Sequence, residues 1–237
     1  MIDWLLAPID PTRPHVIAHS IAWHGRMMVL AWCVLLPVGI LAARFFKITA
    51  RQDWPRQLDN KSWWYAHNAL QYSGTALVVA GALYVERSTA LLSSSHGLLG
   101  WSVVALTMAQ VVGGLLRGSK GGPTSLAKDS SLRGDHYDMT LRRRVFERIH
   151  KSLGYLAVVL ALAALATGLW HVNAPRWMWL VVTAWWGLLI TLGVRFQRQG
   201  RAVDTYQAIW GPDLRHPGNR YAPIGLGIRR RDTGQSE

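Results

Sequence analysis

Hydrophobic positions along this chain are gathered into long runs that are separated by polar and basic segments. The first run extends from Ile21 to Ala43, and its only ionisable side chains besides the thiol of Cys33 are His24 and Arg26, both near one end. These twenty-three residues would form a helix of roughly 34 Å, which is enough to cross a hydrocarbon core of about 30 Å. The pattern therefore predicts a membrane-spanning helix that holds a histidine just inside one edge.

Four further runs follow the first, and none shows the alternation of apolar and polar residues that a membrane β-barrel requires. Backbone polar groups left unpaired in lipid are costly, so each run is expected to be a helix. Pro37 in the first run predicts a kink whose freed backbone groups are satisfied by neighbouring helices. We predict an all-α integral membrane protein with five transmembrane helices, at about 21–44, 63–85, 96–116, 146–171 and 177–195.

Basic residues are distributed unevenly between the segments that join the predicted spans. With five spans the termini lie on opposite sides, and one side receives only four basic residues, which are Arg13, Arg26, Arg87 and Arg176. The other side receives the remaining 22 of 26, in segments 44–62, 117–151 and 195–237. Short basic loops favour the cytoplasm, so we expect the N-terminus outside and the C-terminus inside.

This topology divides the chain into a short periplasmic N-terminal segment (1–20), a transmembrane domain (21–197) and a cytoplasmic C-terminal tail (198–237), in a bacterial-type inner (plasma) membrane. It also accounts for the net charge of +13, so we expect membrane lipid and no nucleic acid as the partner of the basic residues. The single cysteine, Cys33, argues against a disulfide framework and a cysteine-based metal site. The first residues lack a charged n-region and a long apolar h-region, so no cleaved signal peptide is expected.

Four histidines lie at the starts of four successive spans. Because odd and even spans run in opposite directions, His24 and His96 fall near the outer edge, and His67 and His150 fall near the inner edge. Ionisable residues within spans are rare and usually functional. Two imidazoles that face each other across a bundle interior suit a six-coordinate b-type haem, so we predict two haem b groups with these four residues as axial ligands.

Glycines accompany three of the four histidines at helical spacing. Gly100 follows His96 by four residues, and Gly154 follows His150 by four, so each shares a helix face with its histidine. Each glycine is expected to clear space beside the imidazole for a flat macrocycle, and Gly74 is expected to do the same for His67. The alternatives are histidines that only hydrogen-bond a neighbouring helix, and a zinc or copper site.

The run His24-Gly-Arg-Met-Met, with Trp32, Pro37 and Ala43-Arg44 after it, resembles the first core helix of the cytochrome b561 family. The similarity is greatest to the five-span form found with DOMON domains and in bacteria. His67, His96 with Gly100, and His150 with Gly154 are similar to the other three core helices of that family. The resemblance covers about residues 20–195.

This resemblance implies a four-helix bundle, formed by the first four spans, that holds two b-type haems and transfers single electrons across the membrane. It pairs His24 with His96 and His67 with His150, as the alternation of the spans does. We find no DOMON domain in the sequence, so an outer partner is expected to be a separate protein or a small molecule. The basic Tyr-Arg motif linked to ascorbate binding in ascorbate-type members is not found, which argues against an ascorbate donor.

Other polar residues are weaker candidates for contacts with the haems. Arg26 could pair with an outer propionate or extend to lipid headgroups, and Lys151, next to His150, could contact a propionate or an anionic donor. His171 could hydrogen-bond an outer propionate or substitute as an outer ligand. His15 and His19 are outer-surface candidates for contact with a metal or substrate, or else solvated side chains. His136 and His216 lie on the inner side and could face an electron donor, or else make local hydrogen bonds.

The function predicted from these observations is transmembrane one-electron transfer by a ferric-reductase-like oxidoreductase. The donor is a cytoplasmic or membrane reductant, and the acceptor is ferric iron, another small oxidant or a periplasmic redox protein. The alternative within haem chemistry is a quinol-coupled cytochrome b, either a dehydrogenase subunit or a superoxide-handling oxidoreductase. A non-redox membrane scaffold that docks through 199–237 is the alternative outside it, and a homodimer is left open.

Overall fold

The computed structural model describes residues 1–85, 94–118, 122–124 and 129–231, and within these ranges the chain is helical and has no β-strand. A short helix at the N-terminus precedes the first predicted span, and two short helices and a 3-10 turn (Pro217–Arg220) interrupt the polar regions. The helices are α1 (Ile2–Leu6), α2 (His19–Val29), α3 (Leu36–Phe45), α4 (Ser62–Val85), α5 (Ser95–Leu116), α6 (Asp135–Asp138), α7 (Leu141–His171), α8 (Arg176–Arg198) and α9 (Thr205–Trp210).

Four helical stretches of the described residues are long and apolar enough to cross a membrane, namely His19–Phe45, α5, α7 and α8. Large apolar side chains on their surfaces are exposed, for example Val159 at 62% and Ile190 at 59%, as expected of residues that face lipid. The chain is therefore a multi-pass membrane protein. Helix α4 occupies the second predicted span and has 24 residues, but Asn68 and Gln71 lower its hydropathy and it does not join the four. The count of five spans stays a prediction.

The predicted helix boundaries agree with the structure to within a few residues, except at the fourth span. Helix α7 begins at Leu141, five residues before the predicted start at Phe146, because the basic residues that precede the span are themselves helical. Arginine is a good helix former, and Arg143 pairs with Glu147 one turn later, at 3.1 Å. The predicted outer loop at 86–95 lies largely outside the described residues.

The first span contains an irregular turn immediately before Pro37. Residues Leu30–Leu35 form a π-helical turn between α2 and α3. Proline has no N–H, so the carbonyl of Cys33, four residues earlier, loses its usual partner. The indole Nε1 of Trp185 donates a hydrogen bond to that carbonyl at 2.6 Å. The prediction that a neighbouring helix satisfies the freed backbone group is confirmed.

The chain divides into two compact units, each assembled from three segments. Unit 1 consists of Met1–Val38, Ala69–Ala109 and Gly154–Leu192. Its core is apolar and is formed by side chains from α2 to α5 and from α7, and it includes the fully buried Ala31 and Val78. The N-terminal segment is held to the turn before α8, where the Asn173 amide donates to the carbonyls of Asp10 and Arg13, both at 2.9 Å.

Unit 2 consists of Gly39–Asn68, Gln110–Leu153 and Gly193–Glu237. Its core contains the aromatic residues Tyr206 and Trp210 of α9, together with Met139, Ile209 and Ile224. Every residue from Ala202 to Gly211 is buried. The described part of the predicted C-terminal tail, residues 198–231, is therefore packed within unit 2, because α9 carries enough apolar area to form part of a core.

Candidate functional site

Unit 1 brings together the first and third of the predicted histidines. The ring centroids of His24 and His96 are 6.1 Å apart, and the ring planes are 89° to each other. Nδ1 of His24 lies 2.9 Å from the carbonyl oxygen of Gly81 in α4. Nδ1 of His96 lies 3.0 Å from the carbonyl oxygen of Ala164 in α7. Each imidazole is thus oriented by a backbone carbonyl of a neighbouring helix.

Gly168 fixes the position of His96 through close packing. A Cβ atom added at Gly168 would lie 2.9 Å from Cε1 and 3.2 Å from Nδ1 of His96, which is too close for carbon. Gly81 permits a similar approach between α4 and α2, because an added Cβ would lie 3.0 Å from Cε of Met28. The two glycines therefore let the helices come close enough for the carbonyl contacts to form.

Unit 2 brings together the second and fourth of the predicted histidines. The ring centroids of His67 and His150 are 6.4 Å apart, and the ring planes are 78° to each other. Nδ1 of His67 lies 3.0 Å from the carbonyl oxygen of Gly39. The Phe146 ring is 5.1 Å from the His150 ring, and Gln110 Nε2 donates to the His150 carbonyl at 2.9 Å.

The geometry of both pairs fits a bis-histidine haem. A carbonyl can only accept a hydrogen bond, so Nδ1 of His24, His67 and His96 carries the proton and Nε2 keeps its lone pair for a metal. Two imidazoles on opposite faces of one iron, each bound at about 2 Å through a ring nitrogen, have ring centres about 6 Å apart. The spacings of 6.1 and 6.4 Å match this requirement.

The glycines beside the histidines differ in what surrounds them. A Cβ added at Gly100 would meet no heavy atom within 4 Å, as expected of a position that leaves room for a macrocycle. Gly154 is half-buried in α7, one turn beyond His150. Gly74 is different, because an added Cβ would lie 2.7 Å from the Leu36 side chain. The expectation that Gly74 clears space for a cofactor is wrong, and this glycine serves the packing of α3 on α4.

A zinc or copper site has less support than a haem site. Within the described ranges no group of three or more histidine, cysteine, aspartate and glutamate side chains is placed to hold a metal ion. Each histidine pair thus supplies two nitrogen ligands, whereas a structural zinc site needs four ligands.

The three weaker candidates for cofactor contacts have other surroundings in the structure. The Arg26 side chain is exposed, and its guanidinium lies 5.0 Å from the ring centroid of Trp23. Lys151 Nζ donates to Glu147 at 2.8 Å and to the carbonyl of Ile224 at 2.7 Å. His171 is exposed at the end of α7. A contact between any of these three and a propionate stays a prediction.

The four unassigned histidines fall into two groups. His15 lies in unit 1, 3.3 Å from the carbonyl oxygen of Val172, and His19 packs edge-on against Trp23 at 6.2 Å. In unit 2, His216 lies 6.3 Å from the Trp210 ring, and His136 is 99% buried with no hydrogen-bond partner for either ring nitrogen among the described residues.

Burial, together with the nearby Arg143 guanidinium, lowers the pKa of His136 to about 3. Burial also lowers the pKa of Lys47, which follows the first span, to about 7. Lys47 Nζ donates to the Val203 carbonyl at 3.0 Å. Both side chains are buried inside unit 2, so neither is exposed for contact with an electron donor.

The residues that orient the imidazoles were not identified from the sequence. These residues act through backbone atoms or through the lack of a side chain, so their side-chain chemistry gives no signal in the sequence. They are Gly39, Gly81, Ala164 and Gly168. A single glycine inside an apolar helical run does indicate a packing role, and Gly168 has this property. Its contact with His96 could not be found without the packing of α7 on α5.

Comparison with known proteins identifies a family. The sequence profile described as eukaryotic cytochrome b561 matches residues 23–176, a range that contains all four paired histidines. No solved structure matches the chain.

Curated relatives come from plants and animals. A cytochrome b561, DM13 and DOMON domain-containing protein of Arabidopsis thaliana is 34% identical over 152 residues, which cover 63% of this chain and 14% of the relative. Ferric-chelate reductase 1 of Homo sapiens is 27% identical over 193 residues, which cover 76% of this chain and 29% of the relative. Ferric-chelate reductase 1 of Bos taurus is 27% identical over 150 residues, or 62% and 22% of the two chains. The chain thus corresponds to less than a third of the length of these relatives.

Proposed function

The chain belongs to the cytochrome b561 family, and we propose that it transfers single electrons across a membrane through two b-type haems. Family members bind b-type haem and act in electron transfer. In this proposal His24 and His96 hold one haem, and His67 and His150 hold the other. The observation that carries it is the repeated geometry of two histidine pairs, with ring centroids 6.1 and 6.4 Å apart.

Haem supplies a one-electron iron couple when it is bound. The chain's own residues hold the proton on Nδ1 of three imidazoles, through the carbonyls of Gly81, Gly39 and Ala164. A hydrogen bond at Nδ1 fixes the ring orientation and makes the other nitrogen a stronger ligand. An apolar core that includes Ala31 and Val78 lies in the same unit as His24 and His96.

We further propose that the segments at 44–62, 117–151 and 195–237 face the cytoplasm and that the N-terminus lies outside, in a bacterial-type plasma membrane. These segments carry 22 of the 26 basic residues, which favours their retention in the cytoplasm. The relatives named ferric-chelate reductase support ferric iron or another small oxidant as the acceptor. The donor in this proposal is a cytoplasmic or membrane reductant.

The test combines haem quantification with reduced-minus-oxidised spectra, on the purified wild type and on four single variants in which one paired histidine is replaced by alanine. The wild type is expected to hold about two haems per chain. His24→Ala and His96→Ala should lose the same spectral component, and His67→Ala and His150→Ala should lose the other one. His15→Ala is the matched control, because His15 lies outside both pairs.

A double variant sharpens the test of the pairing. Combining His24→Ala with His96→Ala should remove no more haem than either change alone. The pairing is wrong if the two single variants affect different spectral components. Absence of haem from wild type expressed with adequate haem would overturn the electron-transfer proposal and favour a membrane scaffold.

A further inference from the structure

The four paired histidines are not supported equally. Nδ1 of His24, His67 and His96 each lies within 3.0 Å of a backbone carbonyl oxygen. Nδ1 of His150 is buried and has no hydrogen-bond partner among the described residues. A buried N–H without an acceptor destabilises the folded state, so we expect this nitrogen to have a partner when it carries a proton.

A second buried polar atom without a partner belongs to the residue that contacts His150. Gln110 in α5 donates from Nε2 to the His150 carbonyl oxygen at 2.9 Å. Its other amide atom, Oε1, is buried and accepts no hydrogen bond from the described residues. The two atoms are chemically complementary, because Oε1 is an acceptor and Nδ1 is a donor once Nε2 binds a metal.

Three other side chains near His150 are less suited as the acceptor. Phe146, one turn earlier, presents an aromatic ring at 5.1 Å. Both carboxylate oxygens of Glu147 are used, one by Arg143 at 3.1 Å and the other by Lys151 at 2.8 Å. The ammonium group of Lys151 is a donor only. Among these neighbours, the amide oxygen of Gln110 is the acceptor still available.

We propose that Gln110 is a positioning residue for His150, with Oε1 accepting the Nδ1–H hydrogen bond either directly or through one ordered water. The Nε2 bond to the His150 carbonyl holds the amide beside the histidine, and Oε1 then takes the place that a backbone carbonyl takes for the other three ligands. This inference rests on the proposal that His67 and His150 hold a haem, and it adds a residue that sets the orientation and ligand strength of His150.

The redox potential is the property that this arrangement controls. A hydrogen bond at Nδ1 makes an imidazole a stronger donor, which favours ferric over ferrous iron, and loss of such a partner typically costs about 10- to 100-fold in metal affinity. If a tenfold loss falls on the ferric form, the midpoint potential rises by about 59 mV for a one-electron couple.

The experiment measures the midpoint potentials of both haems in Gln110→Met and Gln110→Glu, with each potential assigned through the His24→Ala and His150→Ala spectra. Gln110→Met removes the acceptor and should raise the midpoint potential of the haem that His150→Ala disturbs. The expected rise is about 59 mV, which corresponds to a tenfold change in affinity. Gln110→Glu supplies a stronger acceptor and should lower the same potential. General damage to packing would shift both variants in the same direction, so opposite shifts exclude packing damage as the cause.

Thr107→Val is the matched control on the same helix, because the hydrogen bond that the Thr107 hydroxyl makes among the described residues is to the carbonyl of Val103 in α5 itself, at 2.7 Å. Both potentials should be unchanged in this variant. Should Gln110→Met fail to retain the haem, Gln110→Glu alone decides, and a potential at or above that of the wild type overturns the inference. Equal potentials in Gln110→Met and wild type overturn it as well.

The proposed haem site and the proposed role of Gln110 can be disproved independently of each other. If His150→Ala keeps both haems, His150 is not a ligand and the proposed function fails at this site. If His150→Ala loses one haem but Gln110→Met and Gln110→Glu leave its potential unchanged, only the role of Gln110 is wrong.

Discussion

The two units hold histidine pairs of nearly the same geometry in very different surroundings. In unit 1 the support for His24 and His96 comes from backbone carbonyls, glycines and an apolar core. In unit 2 the support includes charged side chains, and all seven ion pairs found among the described residues lie in this unit. Four of their members have side chains no more than 8% exposed: Asp59, Arg143, Glu147 and Asp204.

The two units thus stabilise a histidine pair in two different ways. An apolar core is sensitive to volume, so unit 1 should respond most to substitutions that add or remove atoms. A buried charge network is sensitive to the removal of one partner, because the remaining charges lose their compensation. Variants that act on one mechanism should therefore affect one haem and leave the other in place.

The largest effect is expected at Glu147, which pairs with Arg143 and Lys151 in unit 2. Glu147→Ala leaves two cations with no buried anion between them, and removal of one partner from such a network costs about 3–5 kcal/mol. Thermal unfolding in detergent, followed at each haem's absorbance, should show the haem of His67 and His150 released at a lower temperature. The haem of His24 and His96 should be lost near its original temperature.

An exposed ion pair in the same unit provides the control. Nη2 of Arg215 lies 2.6 Å from Oδ2 of Asp213, and the side chains of Asp213 and Arg215 are 37% and 90% exposed. Such pairs contribute little because solvent screens them, so Asp213→Asn should leave the unfolding temperature unchanged. An equal decrease in unfolding temperature in Glu147→Ala and Asp213→Asn would contradict the view that burial makes the Glu147 network important for stability.

A smaller effect is expected at Gly168 in unit 1. Gly168→Ala places a Cβ 2.9 Å from Cε1 of His96, so the imidazole must move away from its carbonyl partner. Overpacking of this kind costs about 1–3 kcal/mol. Haem quantification should show loss of the component that His96→Ala removes, while the other component remains.

Gly187→Ala is the matched control, because a Cβ at Gly187 in α8 would meet no heavy atom within 4 Å. This variant should keep both haems. A Gly168→Ala protein with a wild-type spectrum would show that the close contact is relieved without moving His96, and unit 1 would then be less sensitive to volume than the comparison implies.

The sequence was sufficient to predict the helices and the histidine pairs. Long apolar runs gave the spans, and alternation of direction placed His24 with His96 and His67 with His150, as the structure does. Both inferences rest on constraints that the lipid bilayer places on a membrane-spanning helix. The ligand assignment itself stays a prediction that the histidine variants test.

The details that the sequence did not yield depend on tertiary packing. Gly74 shares a helix face with His67 and Gly100 shares one with His96, yet Gly74 contacts Leu36 and Gly100 faces open space. The segment after α8 is rich in glycine and proline and was predicted only as a tail, yet Tyr206 in α9 is 99% buried. Spacing along a helix shows which residues share a face, but only the packed structure shows which element covers that face.

The smallest effect is expected at Trp185, whose indole bonds the Cys33 carbonyl freed by Pro37. Trp185→Phe leaves this carbonyl unpaired inside unit 1, at a cost of about 1 kcal/mol. We expect a slightly lower unfolding temperature for the haem of His24 and His96, with both haems retained. Trp177→Phe is the control, since Trp177 is 39% exposed. Equal unfolding temperatures in both variants would mean that lipid, water or a local shift satisfies the carbonyl without the indole.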